Sequence, residues 1–277
     1  MRIVLRITSF ACVTDTNTEV DEVIGAAREL AKAGRWRRAA SLLDATIAGN
    51  DKDRARIALT AVEVAVEGDW FGGTENGRVR LKEAEGLEHD PQGRWDLAFL
   101  GLRIDYRRTI MRDGEFRPGP EGKDAEAMAD LRHRASELKQ QAPDGRRAGW
   151  TSMYLGLIAD NVYGERDVAP AHYNEALRAG EEETDAFLAR EALRHLGDHD
   201  HDNGDYELAY EKWARATELG ARAGTVSGTL SQQILLALLA RDTGDVAGSR
   251  LLAREIGRWA EAIGAKNLAA QAKSMQE

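Results

Sequence analysis

The stretch AREALRHLGDHDHDNGDYELAYEKWARATELG, residues 189–220, reads as helix, tight turn, helix. Leu193, Leu196 and Gly197 share one face of the first helix, and Ala209, Trp213 and Ala216 recur on one face of the second. The i, i+4, i+7 spacing is that of an amphipathic helix. Between them Asn203-Gly204-Asp205 forms the turn. Gly204 suits a positive-φ C-cap, and Asp205 suits the cap of the next helix. Gly197 and Ala209 are small, so two helices can cross closely there, with large residues filling the space around them.

This segment resembles the tetratricopeptide repeat (TPR) family. That family carries a Leu-Gly pair in helix A, a Gly-Asp-Tyr turn, then Ala, an aromatic residue and Ala in helix B. Leu196-Gly197, Gly204-Asp205-Tyr206, Ala209, Trp213 and Ala216 stand at those positions with the family's spacing. Asp200 departs from it, where the family usually has a large, often aromatic core residue.

Working outward, the turn glycine recurs. Gly164 and Gly244 each lie 40 residues from Gly204, while Gly34 and Gly68 lie 34 apart, the family's basic period. FLGLRIDY (99–106) and YLGLIADN (154–161) are a second internal echo. These marks predict an all-α, right-handed α-solenoid of about six TPR-like hairpins over 18–277. The expected helix pairs are 20–33 with 36–49, 52–67 with 75–88, 92–112 with 122–141, 147–162 with 168–179, 185–202 with 205–219, and 227–242 with 245–263. A helix over 265–275 should cap the open end. Thr18 with Asp21 looks like a capping box opening the first helix, and residues 1–17 are unassigned. Two segments, 67–78 with four glycines and 112–124 with two prolines, read as loops longer than a repeat needs.

Composition agrees with a helical array. The 277 residues include only five prolines, under half of average usage, and 31% are charged. Pro91 and Pro143 precede expected helices, Pro118 and Pro120 fall in a loop, and Pro170 falls in a first helical turn. The net charge of −9 argues against nucleic acid as partner. The one cysteine, Cys12, allows no internal disulfide and no cysteine-based zinc site, which favours a cytoplasmic location. No run approaches the ~20 apolar residues of a membrane span.

The sequence carries one conspicuous polar cluster, HLGDHDHDNGD, residues 195–205. His195 and His199 stand at i, i+4, a spacing that with a carboxylate could hold a divalent metal. The blander reading is a solvated helix end, and no His-Glu-x-x-His signature is present. The glycine-rich segment 68–77 lacks a P-loop ending, and no cofactor is expected.

The TPR resemblance implies that helix A of each hairpin lines a concave groove. Its inward positions would be Trp95, Leu102, Asp105 and Tyr106, then Trp150, Met153, Leu157, Asp160 and Asn161. Glu191, Arg194, Asp198, His201 and Asp202 would follow, with Ile234, Leu238, Arg241 and Asp242 in the last unit. That groove would be apolar and aromatic in the middle, with acidic residues along it, and would suit an apolar or basic peptide. Alternatively, Trp95 and Trp150 are core residues between hairpins. A clamp for acidic chaperone tails looks absent, since Leu102, Leu157, Asp198 and Leu238 stand where it needs Asn. The leading expectation is a non-enzymatic scaffold for a protein or peptide, possibly regulatory. The alternatives are a small-molecule or peptide sensor using the same groove, and an enzyme with a metal at the 195–202 cluster.

Overall fold

The structure is a computed structural model describing residues 16–112 and 114–276. Residues 1–15, with Cys12, lie outside the described residues. The helices are α1 (Thr16–Lys32), α2 (Trp36–Asp44), α3 (Asp51–Gly72), α4 (Gly77–Glu85), α5 (Pro91–Ile110), α6 (Ala125–Gln140) and α7 (Gly145–Ile158). A π-helical turn, Ala159–Tyr163, extends α7. Then come α8 (Ala169–Glu182), α9 (Ala186–Asp202), α10 (Tyr206–Arg222), α11 (Val226–Asp242), α12 (Val246–Ile263) and α13 (Lys266–Ser274). Each odd-numbered helix up to α11 pairs with the one after it, giving six hairpins and a terminal helix. This is the expected all-α solenoid.

The turns explain why the chain folds back so regularly. Gly164, Thr184, Gly204, Gly224, Gly244 and Gly264, spaced 20 residues apart, all have left-handed φ. From the second of these on, the N–H of the next residue returns to a carbonyl five residues back, as in Asp205 to Asp200 (2.9 Å) and Asp245 to Ala240 (2.7 Å). These bonds satisfy the last helical carbonyls. The residue that closes one helix also opens the next. Asp185 caps α9 by accepting from the Phe187 and Leu188 N–H groups (3.0 and 3.1 Å). Asp205 occupies the equivalent position but makes no side-chain cap bond. Thr184 is the sole non-glycine at positive φ among the described residues (φ 56°).

Close approach follows from the glycines. A Cβ at Gly197 would lie 2.5 Å from the Trp213 indole, and one at Gly156 would lie 2.5 Å from the Tyr173 ring. Both rings are fully buried. The predicted crossing of the 189–220 hairpin is therefore real. Gly101, the counterpart of Gly156 in the internal echo, instead faces Leu81 of the preceding hairpin at 3.4 Å.

Two local expectations need correction, and the long connection 112–124 stands. Segment 67–78 is not a long loop, because α3 continues to Gly72 and only residues 73–76 intervene before α4. Gly68 is helical and packs on Trp36, and the left-handed residue is Gly73 (φ 67°). The buried Asp69 carboxylate organises the tight connection, accepting from Thr74 Oγ1 (2.6 Å) and the N–H groups of Asn76 (2.9 Å) and Gly77 (2.8 Å). Segment 112–124 does hold a hairpin, with β1 (Met111–Arg112) paired antiparallel to β2 (Glu115–Phe116). Its following turn docks on the π-helical segment through Gly119 N–H to the Asn161 carbonyl (2.9 Å). Finally, α1 already runs from Thr16, ahead of the expected Thr18 cap.

The array also closes on itself. One apolar cluster joins Val20, Ile24 and Ala27 of α1 and Trp36 of α2 to Leu230 and Ile234 of α11, Ile256 of α12 and Leu268 of α13. Asn267 donates to the Trp70 carbonyl at 2.8 Å, tying α13 to α3. The terminal helix therefore covers the first hairpins as well as the last one, so the exposed apolar ends that repeat arrays must cap shield each other.

Candidate functional site

The odd-numbered helices run side by side, joined by polar bonds between residues 35 to 51 apart. Arg28 of α1 donates two bonds to Glu63 of α3 (2.8 and 3.0 Å). Arg103 of α5 reaches Glu67 of α3 (2.9 Å) and the Tyr154 hydroxyl of α7 (3.0 Å). Arg147 of α7 forks onto Asp96 of α5 (2.7 Å twice). Arg146 and the Trp150 indole N–H both donate to Asp185 at the head of α9 (2.6 and 2.9 Å). Arg194 of α9 donates to Ser231 Oγ of α11 (2.7 Å). Paired charge-assisted forks of this kind hold geometry as well as energy.

Charges on the odd-numbered helices act on one another. Burial opposes ionisation of Glu191, but Arg190, Arg194, His195 and Arg103 outweigh it and hold its pKa below the usual range. Arg103 belongs to α5 and Glu191 to α9, with α7 between them in sequence. Burial likewise opposes ionisation of Asp198, and His195 and Arg194 bring its pKa down. Burial, opposed by its bond to Arg103, pushes the Tyr154 hydroxyl up. At one end of this face Lys32 of α1 sits 5.5 Å from the Phe187 ring of α9.

The sequence-predicted groove residues divide into three groups. Trp95, Leu102 and Met153 lie in the main apolar cluster and line no open surface, and Leu157, Tyr106 and Ile234 are buried too. Trp95 is spent on its neighbours, stacking on Phe99 at 5.3 Å and donating to the Leu138 carbonyl at 3.0 Å. Trp150 is half-buried and bonded to Asp185. The expected apolar, aromatic middle is therefore mostly core.

The second group turns to other partners. Asp105 pairs with Arg134 of α6 (3.0 Å) and Arg78 of α4, both outer helices. Asp160, in the π-helical turn, accepts from the Tyr173 hydroxyl (3.2 Å) and lies 3.0 Å from His199 Nε2. Asn161 donates to the Tyr106 hydroxyl (2.9 Å). Asp202 pairs with Arg166 (2.6 Å), His201 sits 3.0 Å from Asp242, and Arg241 also pairs with Asp242 (3.0 Å). The third group, Glu191, Arg194 and Asp198, shares one partly exposed stripe of α9. Glu63, Glu67, Asp96, Asp185 and Glu191 each pair with an arginine, and Asp198 with His195.

The two candidate metal ligands are engaged apart. His195 Nδ1 lies 3.2 Å from Asp198 and its ring stacks on Tyr173 at 5.2 Å, whereas His199 faces Asp160. Among the described residues no group of three His, Cys, Asp or Glu side chains is arranged to hold a metal ion. Asp200, in place of a large core residue, is bonded by Lys212 and lines an open depression of about 570 Å³ between α8, α9 and α10.

Arg103, Glu67, Arg28, Glu63, Arg147 and Asp96 went unpredicted. For the first four the available signal was opposite charge one repeat apart on successive A helices, 35 residues for Arg28 and Glu63 and 36 for Glu67 and Arg103; Arg147 and Asp96, 51 apart, carry no such signal.

No described helix is long and apolar enough to cross a membrane. No protein-family profile matches the chain, and no curated protein matches it in sequence. In structure the chain is similar to a Rap protein complexed with competence and sporulation factor, with a TM-score of 0.60 over 92% of this chain and 69% of that one. At 12% identity this is a likeness of fold, and it places the chain among helical-repeat architectures.

Proposed function

We propose that this chain is a non-enzymatic, TPR-like scaffold that holds a protein or peptide partner against the inner face of its odd-numbered helices, in a regulatory and cytoplasmic role. The observation that carries this reading is the partly exposed stripe Glu191, Arg194 and Asp198 on α9. A rigid concave surface with polar groups in fixed positions favours recognition of a chain segment. The fold-similar Rap protein, seen in complex with a factor, supports the same reading by analogy.

The test is a pull-down comparing the native chain with an Arg194→Ala/Asp198→Ala/His201→Ala variant and with Tyr210→Ala, which alters an exposed outer position. Partner recovery should fall at least tenfold for the triple variant and hold for Tyr210→Ala. Equal recovery by the triple variant would place the binding surface elsewhere.

A further inference from the structure

We infer that the closed array opens at the seam between α9 and α11 and admits a partner to the inner face there; the second half of this rests on the inner-face reading above. The apolar core is divided into two bodies. One gathers α5 to α9, from Trp95 to Leu196, and the other gathers α11, α12 and α13 with α1, α2 and α3. On one side the bodies are joined firmly. Helix α3 gives Ile57 and Val64 to the second body, and Val62 and Val66 to a cluster that it shares with α4 and α5. On the other side the apolar bridge is small, with Ala209 and Trp213 of α10 against Leu235 and Leu239 of α11. Among the described residues no buried apolar cluster contains both α9 and α11.

The polar bonds of this seam also differ from those of its neighbours. The α1–α3, α3–α5, α5–α7 and α7–α9 seams are each crossed by an arginine on a carboxylate. Across α9–α11, Arg190 and Arg194 reach neutral hydroxyls instead, Thr225 Oγ1 at 3.2 Å and Ser231 Oγ at 2.7 Å. The carboxylate contact, His201 on Asp242 at 3.0 Å, lies at the exposed far end. Gln232 of α11 is fully buried, yet neither atom of its amide has a hydrogen-bond partner, and Arg190 Nε and Arg194 Nε have none either. Unmet buried groups oppose the closed arrangement, whereas parting the helices lets water reach them. Elements that move are drawn from the least stable contacts of a fold. Arg194 belongs both to this seam and to the exposed stripe of α9. A partner that takes Arg194 therefore competes with Ser231 and favours the open form.

Spin-label distance measurements on the full chain, in a Cys12→Ser background, test this. Labels at Glu218→Cys of α10 and Arg258→Cys of α12 span the seam, and labels at Val79→Cys of α4 and His133→Cys of α6 span the firm side; all four positions are exposed. The seam pair should give two distances and the reference pair one. Arg194→Ala, which frees Ser231, should raise the open-to-closed ratio about threefold, and Gln232→Leu, which removes the unmet amide, should lower it about threefold. Ser231→Asp gives Arg194 a carboxylate, should lower the ratio likewise, and keeps the inference testable if Gln232→Leu fails to fold. A single seam distance in the native chain and in Arg194→Ala, equal spread in both pairs, or a ratio that no variant moves would overturn the inference. These measurements contain no partner, so that result leaves the inner-face reading to its own pull-down. Gln232 is out of a partner's reach in the closed form, so Gln232→Leu should lower recovery in that pull-down about threefold through the seam alone. Unchanged recovery would overturn the entry role and leave the opening standing.

Discussion

The stretch from Gly164 to Gly264 and the stretch before it obey different rules. In the later region a left-handed turn residue falls every 20 residues, and helices of 14–18 residues pack pairwise. In the earlier region helix lengths run from 9 to 22 residues, and a β-hairpin separates α5 from α6. The lesson is that one architecture can be held by repetition in one half and by individual side chains in the other. Asp69 shaping the α3–α4 connection is the clearest case of the second.

Breaking the regular half should be costly at its joints. Asp185 is 3% exposed at its side chain, caps α9 and binds both Arg146 and Trp150. Asp185→Ala should destabilise the chain by about 3 kcal/mol, through a lost cap and unpaired partners, as measured by denaturant unfolding. An effect below about 1 kcal/mol would show that the joint is not held there.

The echoed glycines, both before Gly164, should then separate a close crossing onto the regular half, Gly156 on Tyr173 of α8, from a looser one within the earlier half, Gly101 on Leu81 of α4. Gly156→Ala should cost about 2 kcal/mol, because the new methyl meets the buried Tyr173 ring. Gly101→Ala meets only the end of Leu81 and should stabilise the helix by about 0.5 kcal/mol. Equal effects at the two sites would erase the distinction. Between them in size, Thr184→Gly should raise stability by about 1 kcal/mol by relieving a left-handed threonine.

Acid provides a further probe of the regular half. Asp185, Glu191 and Asp198 within it, and Asp160 just before it, all titrate below the usual carboxylate range, because neighbouring cations and donors outweigh the opposing effect of burial. Their folded pKa values lie below the unfolded ones, so their stabilisation is fully present above about pH 5 and is lost as pH falls through the folded values. Hydrogen exchange should show α9 losing protection as the pH drops below about 4, and Asp185→Ala should flatten that dependence.

The same division governs what the sequence made legible. The 189–220 hairpin was readable because Gly204, Ala209 and Trp213 each report a local steric requirement. The segment around Gly68 misled, because a glycine that admits Trp36 against a helix looks like one that ends a helix. Groove positions were harder. Helical spacing puts Trp95 and Glu191 on comparable faces, but only the packing of α6 against α5 decides that Trp95 is core. The cross-repeat charge pairs were hidden because each needs two residues from different hairpins.

Closure of the ends fixes the copy number of the array. A linear stack of hairpins can gain or lose a unit and keep every remaining interface. Here α13 and α12 rest on α1, α2 and α3, so an inserted or deleted hairpin would pull the first and last units out of register. Changes of length can be absorbed in individual loops and helices, such as those of the earlier half, but not by adding whole repeats.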